Sequence, residues 1–230
     1  MTKHFDNELA VLKRQLFSLS AMVEESLRLA LRAVMERSED LSERVIAGDE
    51  EIDRKEVEIE EECLKTLALY QPVAADLRYV IVVLKMTNDL ERIGDLAVNI
   101  AHRARSLMKL PKSQAHFDFS EMGSLVQAML KKALQSLLNS DTQLAREVCQ
   151  MDDGVDSMNR DMHDRIRKEI RSHIEDLESL TYYMSVSRNL ERIADHTTNI
   201  AEDVIYLKDG IIVRHGNDLG NRDLGNRGTR

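Results

Sequence analysis

The sequence predicts an all-α protein: two tandem, sequence-related three-helix bundles, six helices in all, followed by a disordered C-terminal tail. Three observations carry that expectation. A 14-residue segment occurs twice, 100 residues apart, as Asn88–Ala101 (NDLERIGDLAVNIA) and Arg188–Ala201 (RNLERIADHTTNIA), with eight identical positions. Upstream, Asp49 and Asp53 correspond to Asp152 and Asp156 at an offset of 103, so the repeated unit is larger than the motif. Helix breakers are also scarce: both prolines but only four of the nine glycines lie before Lys208. The units are read as residues 1–111 and 118–208, with 209–230 as the tail.

Each element follows from spacing. Leu9, Leu12, Leu16, Leu19, Val23, Ala30 and Val34 recur at three-four intervals, the stripe of a helix expected over Asn7–Arg37. Ser38, with Glu39 and Asp40 behind it, is an N-cap with acids in the first turn. The second helix then runs to about Tyr70 with Val45, Ile52, Ile59, Cys63 and Tyr70 on its seam. Gln71-Pro72 breaks it, and Pro72 is placed to open the third helix, which carries Val73, Leu77, Val80, Leu84, Val98 and Ala101 and ends before Pro111. Val80–Val83 alone would suit a strand, but the helical pattern on both sides overrides that.

Beyond the linker-like stretch Leu110–Phe119 the plan repeats. Leu125, Met129, Leu130, Leu134 and Leu137 mark a fourth helix. Ser140 with Gln143 matches a capping box for a fifth carrying Val148, Val155, Met162 and Ile166. A sixth starts near Asp176 with Leu177, Leu180, Met184, Ala194, Ala201 and Ile205. The DLGNRDLGNR run in the tail is low in complexity and expected to be disordered.

Composition bounds the function. At 43% apolar and 32% charged the chain suits a folded protein. A net charge of −9, aromatics at 4% and no Trp argue against nucleic-acid binding, because phosphates are repelled and bases find little to stack on. The start MTKHFDNELA is polar and the longest apolar run, Tyr79–Leu84, is too short for a bilayer, so a cytoplasmic protein without membrane insertion is expected. Cys63 and Cys149 sit far apart on helical seams and are read as small buried residues.

The chemistry lies in carboxylates. Each bundle has two acidic pairs at i,i+4 spacing, Asp49/Asp53 with Glu91/Asp95 and Asp152/Asp156 with Glu191/Asp195. One such pair means little, since chance supplies roughly seven on helices this acidic. Register changes that. In an antiparallel hairpin, residues equidistant from the turn share a level, because each helix rises ~1.5 Å per residue. The first two pairs are equidistant from Pro72, and the last two from the His173–Ile174 junction. Four carboxylates therefore meet at one level in each bundle. Asp49, Glu91, Asp152 and Glu191 also fall on apolar seams, where an unpaired charge is costly. Two readings follow: Arg92 and Arg192 neutralise a buried ionic layer, or each bundle holds a hard cation on oxygen ligands. Surplus negative charge favours the cation, with Asn99 and Asn199 one turn beyond the aspartates as carbonyl donors or orienting groups. His196 has no counterpart in the first copy and is read as a bystander. None of the seven His has a Glu three residues before it, so a ferritin-like di-iron oxidase is not expected, and neither a P-loop nor a nucleophile elbow is present. Catalysis is not expected.

LERIGD, LERIAD, the acidic pairs before them and QPVAADLR at Gln71–Arg78 together resemble the PhoU family of phosphate-uptake regulators, over about Asp6–Asp209. That resemblance implies two three-helix bundles and a homodimer. It also implies E/D-x-x-x-D motifs binding divalent or trivalent metal ions (iron, manganese, magnesium or zinc), here Asp49, Asp53, Glu91, Asp95, Asp152, Asp156, Glu191 and Asp195. Its implied role is negative regulation of phosphate uptake and of the phosphate-starvation response. The implied partners are the ATPase subunit of the phosphate ABC transporter and the phosphate sensor histidine kinase. The alternative is a metal-storage or metal-buffering helical protein without a signalling partner.

Overall fold

A computed structural model describes residues 3–111, 117–210 and 212–213, so most of the expected tail and half of the Leu110–Phe119 linker lie outside the described residues. Six long helices follow in order: α1 (Lys3–Glu36), α2 (Glu39–Tyr70), α3 (Ala74–Lys109), α4 (Ser120–Asn139), α5 (Thr142–Ser172) and α6 (Leu177–Asp209), with one 3-10 turn, Ile174–Asp176, ahead of α6. Among the described residues there is no strand. The fold is all-α, as the spacing predicts.

α1, α2 and α3 pack on one another, and α4, α5 and α6 do the same. The stripes chosen from sequence form the core: Leu12, Leu16, Leu19, Val23, Val45, Ile52, Ile59, Val148, Val155 and Ile166 are all buried. The bundles join through α3 and α6, which run antiparallel. Lys85 pairs with Asp203, and Arg103 Nε donates to Ser185 Oγ at 3.1 Å, so residue numbers rise on one helix as they fall on the other. α3 is therefore buried along Val83, Leu90, Ala97 and Ala104 and also along Val82, Met86, Ile93 and Ile100. With Val80 and Thr87 buried on one side of these stripes and Leu96 on the other, the shielded arc reaches about 200° at 100° per residue, more than one neighbouring face covers. In the strand-like run Val80–Val83, Val80, Val82 and Val83 are buried while Ile81 stays at the surface, as a helix packed on two sides allows.

Four details differ from the sequence expectation. α1 begins at Lys3 rather than Asn7, because Phe5 is buried against Tyr70 at the end of α2, ring centroids 5.3 Å apart. α3 begins at Ala74 rather than Pro72, since Gln71 is left-handed (φ 45°) and Val73 extended, which keeps the proline in the connection. The N-cap of α5 is Asp141, whose carboxylate accepts from Leu144 N at 3.0 Å; Ser140 is instead the left-handed link closing α4 (φ 52°). Val73 (73% exposed), Leu77 and Leu177, expected on the core seams, lie at the hairpin tips where no third helix covers them.

Candidate functional site

Ser38 Oγ accepts from Leu41 N, fixing the start of α2 and hence the height of Asp49 and Asp53. α2 and α3 approach closely at that height. A Cβ built on Gly94, between Glu91 and Asp95, would stand 3.2 Å from Ile52 Cγ2, between Asp49 and Asp53. The two acidic pairs of the first bundle thus face one another across the hairpin.

The electrostatics report the same meeting. Burial raises the Asp49 carboxyl above the ordinary range, with Asp53 and Asp95 adding repulsion. Glu91 is raised by burial, then by Asp95, with smaller contributions from Asp53 and Glu56 partly offset by Arg92. In the second bundle Asp152 is pushed up to about 6, first by burial and then by Asp195, Asp156, Asp153 and Glu191. Burial also raises Glu191 and Asp195, each of which feels Asp156. Desolvation and like charge act in one direction here, which penalises the ionised form. All eight predicted residues fall into two groups of four.

The arginines do not close either layer. Arg92 is 54% exposed on its side chain and reaches Glu91 and Asp95 only from the edge, at 3.5 Å each, and Arg192 is exposed too. Asp49 Oδ1 and Glu91 Oε2 remain buried without a hydrogen-bond partner. Buried carboxylate oxygens that accept no hydrogen bond, with no imidazole or thiolate beside them, are a donor set suited to hard cations. Among the described residues, no group of three or more His, Cys, Asp or Glu side chains is already arranged to hold an ion. Filling the site would therefore require these side chains to move together.

The second group opens into a cavity of about 790 Å³ between α3, α5 and α6. Its lining adds residues the sequence reading did not single out: Lys85 and Asp89 from α3, and Glu202 and Asp203 from α6. A partial signal existed, since Asp195, Asn199, Glu202 and Asp203 continue one helical face; the contribution of α3 depended on how the bundles dock. His196 is engaged across that junction, its Nδ1 2.8 Å from Asp89 Oδ1, and Asn199 Nδ2 donates to the same oxygen at 3.2 Å. Asn99 is exposed.

Comparison with known proteins gives one family. The chain matches the PhoU domain at residues 16–104 and again at 119–204. It is 33% identical over 208 residues, 90% of each chain, to the phosphate-specific transport system accessory protein PhoU homolog 1 of Thermotoga maritima. The crystal structure of PhoU from Pseudomonas aeruginosa superposes with a TM-score of 0.88 at 34% identity, covering 90% of this chain and all of that one. That of the phosphate transport system regulatory protein PhoU from Streptococcus pneumoniae gives 0.85 at 30% identity, covering 92% and all of the other chain.

Proposed function

This chain belongs to the PhoU family, and from that membership we propose that it is a regulatory accessory protein of phosphate transport, restraining uptake and the phosphate-starvation response. Its partners on this reading are the transporter's ATPase subunit, on the inner face of the membrane, and the phosphate sensor histidine kinase. It acts there as a cytoplasmic homodimer. The described residues suit a role beside the membrane rather than in it, since no helix among them is long and apolar enough to cross one.

The single observation that carries the mechanism is the doubled layer of half-buried carboxylates whose protonation is favoured by burial and mutual repulsion. A divalent or trivalent cation would supply the opposing charge. Asp49, Asp53, Glu91 and Asp95 would hold it in one bundle and Asp152, Asp156, Glu191 and Asp195 in the other. These residues join α2 to α3 and α5 to α6, so an ion between them would stiffen each hairpin and fix the surface offered to partners. A storage protein would need no such paired mechanical effect.

Deleting the gene is expected to derepress alkaline phosphatase in high phosphate, and the Glu91→Gln, Asp95→Asn, Glu191→Gln, Asp195→Asn variant is expected not to restore repression. Normal repression in the deletion strain, with no second copy of the gene present, defeats the proposal.

A further inference from the structure

The acidic cavity of the second repeat has no equal in the first. Carried across by the 100-residue offset, Lys85 becomes Ser185, Asp89 becomes Asn189, and Glu202 and Asp203 become His102 and Arg103. The Lys85–Asp203 ion pair is answered on the other side by the Arg103–Ser185 hydrogen bond, with the Arg103 guanidinium 5.7 Å above the Tyr182 ring. One side of a pseudo-two-fold molecule is strongly negative and the other is not.

Six acidic residues line the cavity (Asp89, Asp152, Asp153, Asp195, Glu202 and Asp203), and the described lining sets one basic residue, Lys85, against them. Asp203 is 5% exposed, and while its Oδ1 meets Lys85, its Oδ2 is buried with no hydrogen-bond partner. A buried carboxyl oxygen without a hydrogen-bond partner is costly and calls for one. Neither the inner nor the outer carboxylates are gathered for a compact ion as they stand, and a volume of this size suits a multi-atom group. A guanidinium fits that description: planar, permanently charged, with five donors in a fork that matches carboxylates.

The chain supplies that group itself. α6 closes at Gly210, left-handed at φ 69°, which turns the backbone off the helix axis, its N–H held by Tyr206 O at 2.9 Å. Val213 then packs against the core and lines this same cavity. The next residue is Arg214, and residues 214–230 hold four arginines against two aspartates. We propose that the cavity between α3, α5 and α6 receives the protein's own C-terminal segment, Arg214 first, with its guanidinium on Asp203 Oδ2 and the neighbouring carboxylates. The contact needs no metal in either bundle. Where cations are drawn to Asp152 and Asp195, the segment competes with them, so the second bundle's acids are governed by the tail and the first bundle's are not.

Cys149 lines the cavity and reports on access to it, while the fully buried Cys63 is an internal control. In the full-length protein at low salt, Arg214→Gln is expected to speed iodoacetamide alkylation of Cys149 about tenfold or more, the effect of losing one charge-assisted hydrogen bond. Losing a nearby positive charge would by itself slow the reaction by disfavouring the thiolate, so acceleration reports opened access. An unchanged or slower rate overturns the proposal. So does a wild-type Cys149 as reactive as the variant's that slows only on addition of an oligoarginine peptide, since the cavity would then serve a basic segment of another protein.

Discussion

Asp152 shows how a single carboxyl ties fold to function. Its apolar seam position withdraws it from water, and Asp195 and Asp156 then oppose its charge, leaving a folded-state pKa of about 6. The unfolded value is ~3.9. A raised carboxyl binds more protons folded than unfolded, so this group's contribution is fully present below pH ~4 and lost as pH rises through 6. Asp49, Glu91, Glu191 and Asp195 shift the same way. The metal-free protein is therefore expected to melt at a lower temperature at pH 7.5 than at pH 5. Asp152→Asn should raise Tm at pH 7.5 by roughly 2–4 °C, what ~1 kcal/mol gives a chain of this length after allowing for solvent at a half-buried carboxyl. That gain should fade by pH 5; calorimetry at both values that found it constant would refute this electrostatic account. The same carboxylates should govern metal content. Natively purified protein is expected to carry near-stoichiometric cation by mass spectrometry and the Glu91→Gln, Asp95→Asn, Glu191→Gln, Asp195→Asn variant none, and equal content in both would remove these residues as ligands.

At the scale of elements, the packing of α2 on α3 sets the acidic level, and it is tuned in pairs. Gly94 admits Ile52 in the first copy. In the second copy the corresponding residues are Ala194 and Val155, one methyl gained on one helix and one methylene lost on the other. Gly94→Ala combines a gain in helix propensity of ~1 kcal/mol with crowding against Ile52. Made in an Ile52→Ala background, which removes the Cγ2 that the new methyl meets, it should stabilise by about 1 kcal/mol more than in the wild type. A double-mutant cycle by urea denaturation measures that coupling, and additivity within ~0.3 kcal/mol would show that the methyl meets no resistance. The helices themselves were legible because breakers are few and the stripes long. Their ends were less so: Ser140 and Asp141 are both good caps, and only the tight connection from Asn139 decided that Ser140 takes the left-handed position while Asp141 caps.

For the whole molecule, the antiparallel seating of α3 on α6 makes the bundles interdependent. α3 and α6 pack on one another, and each is buried over a wide arc, as Val82 and Met86 on α3 and Ile193 and Ile200 on α6 illustrate. Parting them carries a large apolar penalty, at about 25 cal/mol per Å². Thermal unfolding of the intact chain is accordingly expected as one cooperative transition with equal calorimetric and van't Hoff enthalpies. Two resolved transitions would mean that the interface contributes little. The same seating breaks the equivalence of the repeats by bringing Asp89 to His196 and Asn199 and Lys85 to Asp203.

The sequence alone determined the all-α class, the duplication, the core stripes and the level at which eight carboxylates meet, because helical period and hairpin symmetry are local properties that arithmetic on residue numbers can follow. Tertiary structure decided what no spacing encodes: which bundle faces meet, why Val80, Val82 and Val83 are all buried, and that one acidic layer opens into a cavity lined by Asp89, Glu202 and Asp203 while Arg103 meets Ser185 on the other side of the junction. Those features come from contacts between residues more than 80 positions apart, where docking geometry rather than local period chooses the neighbours.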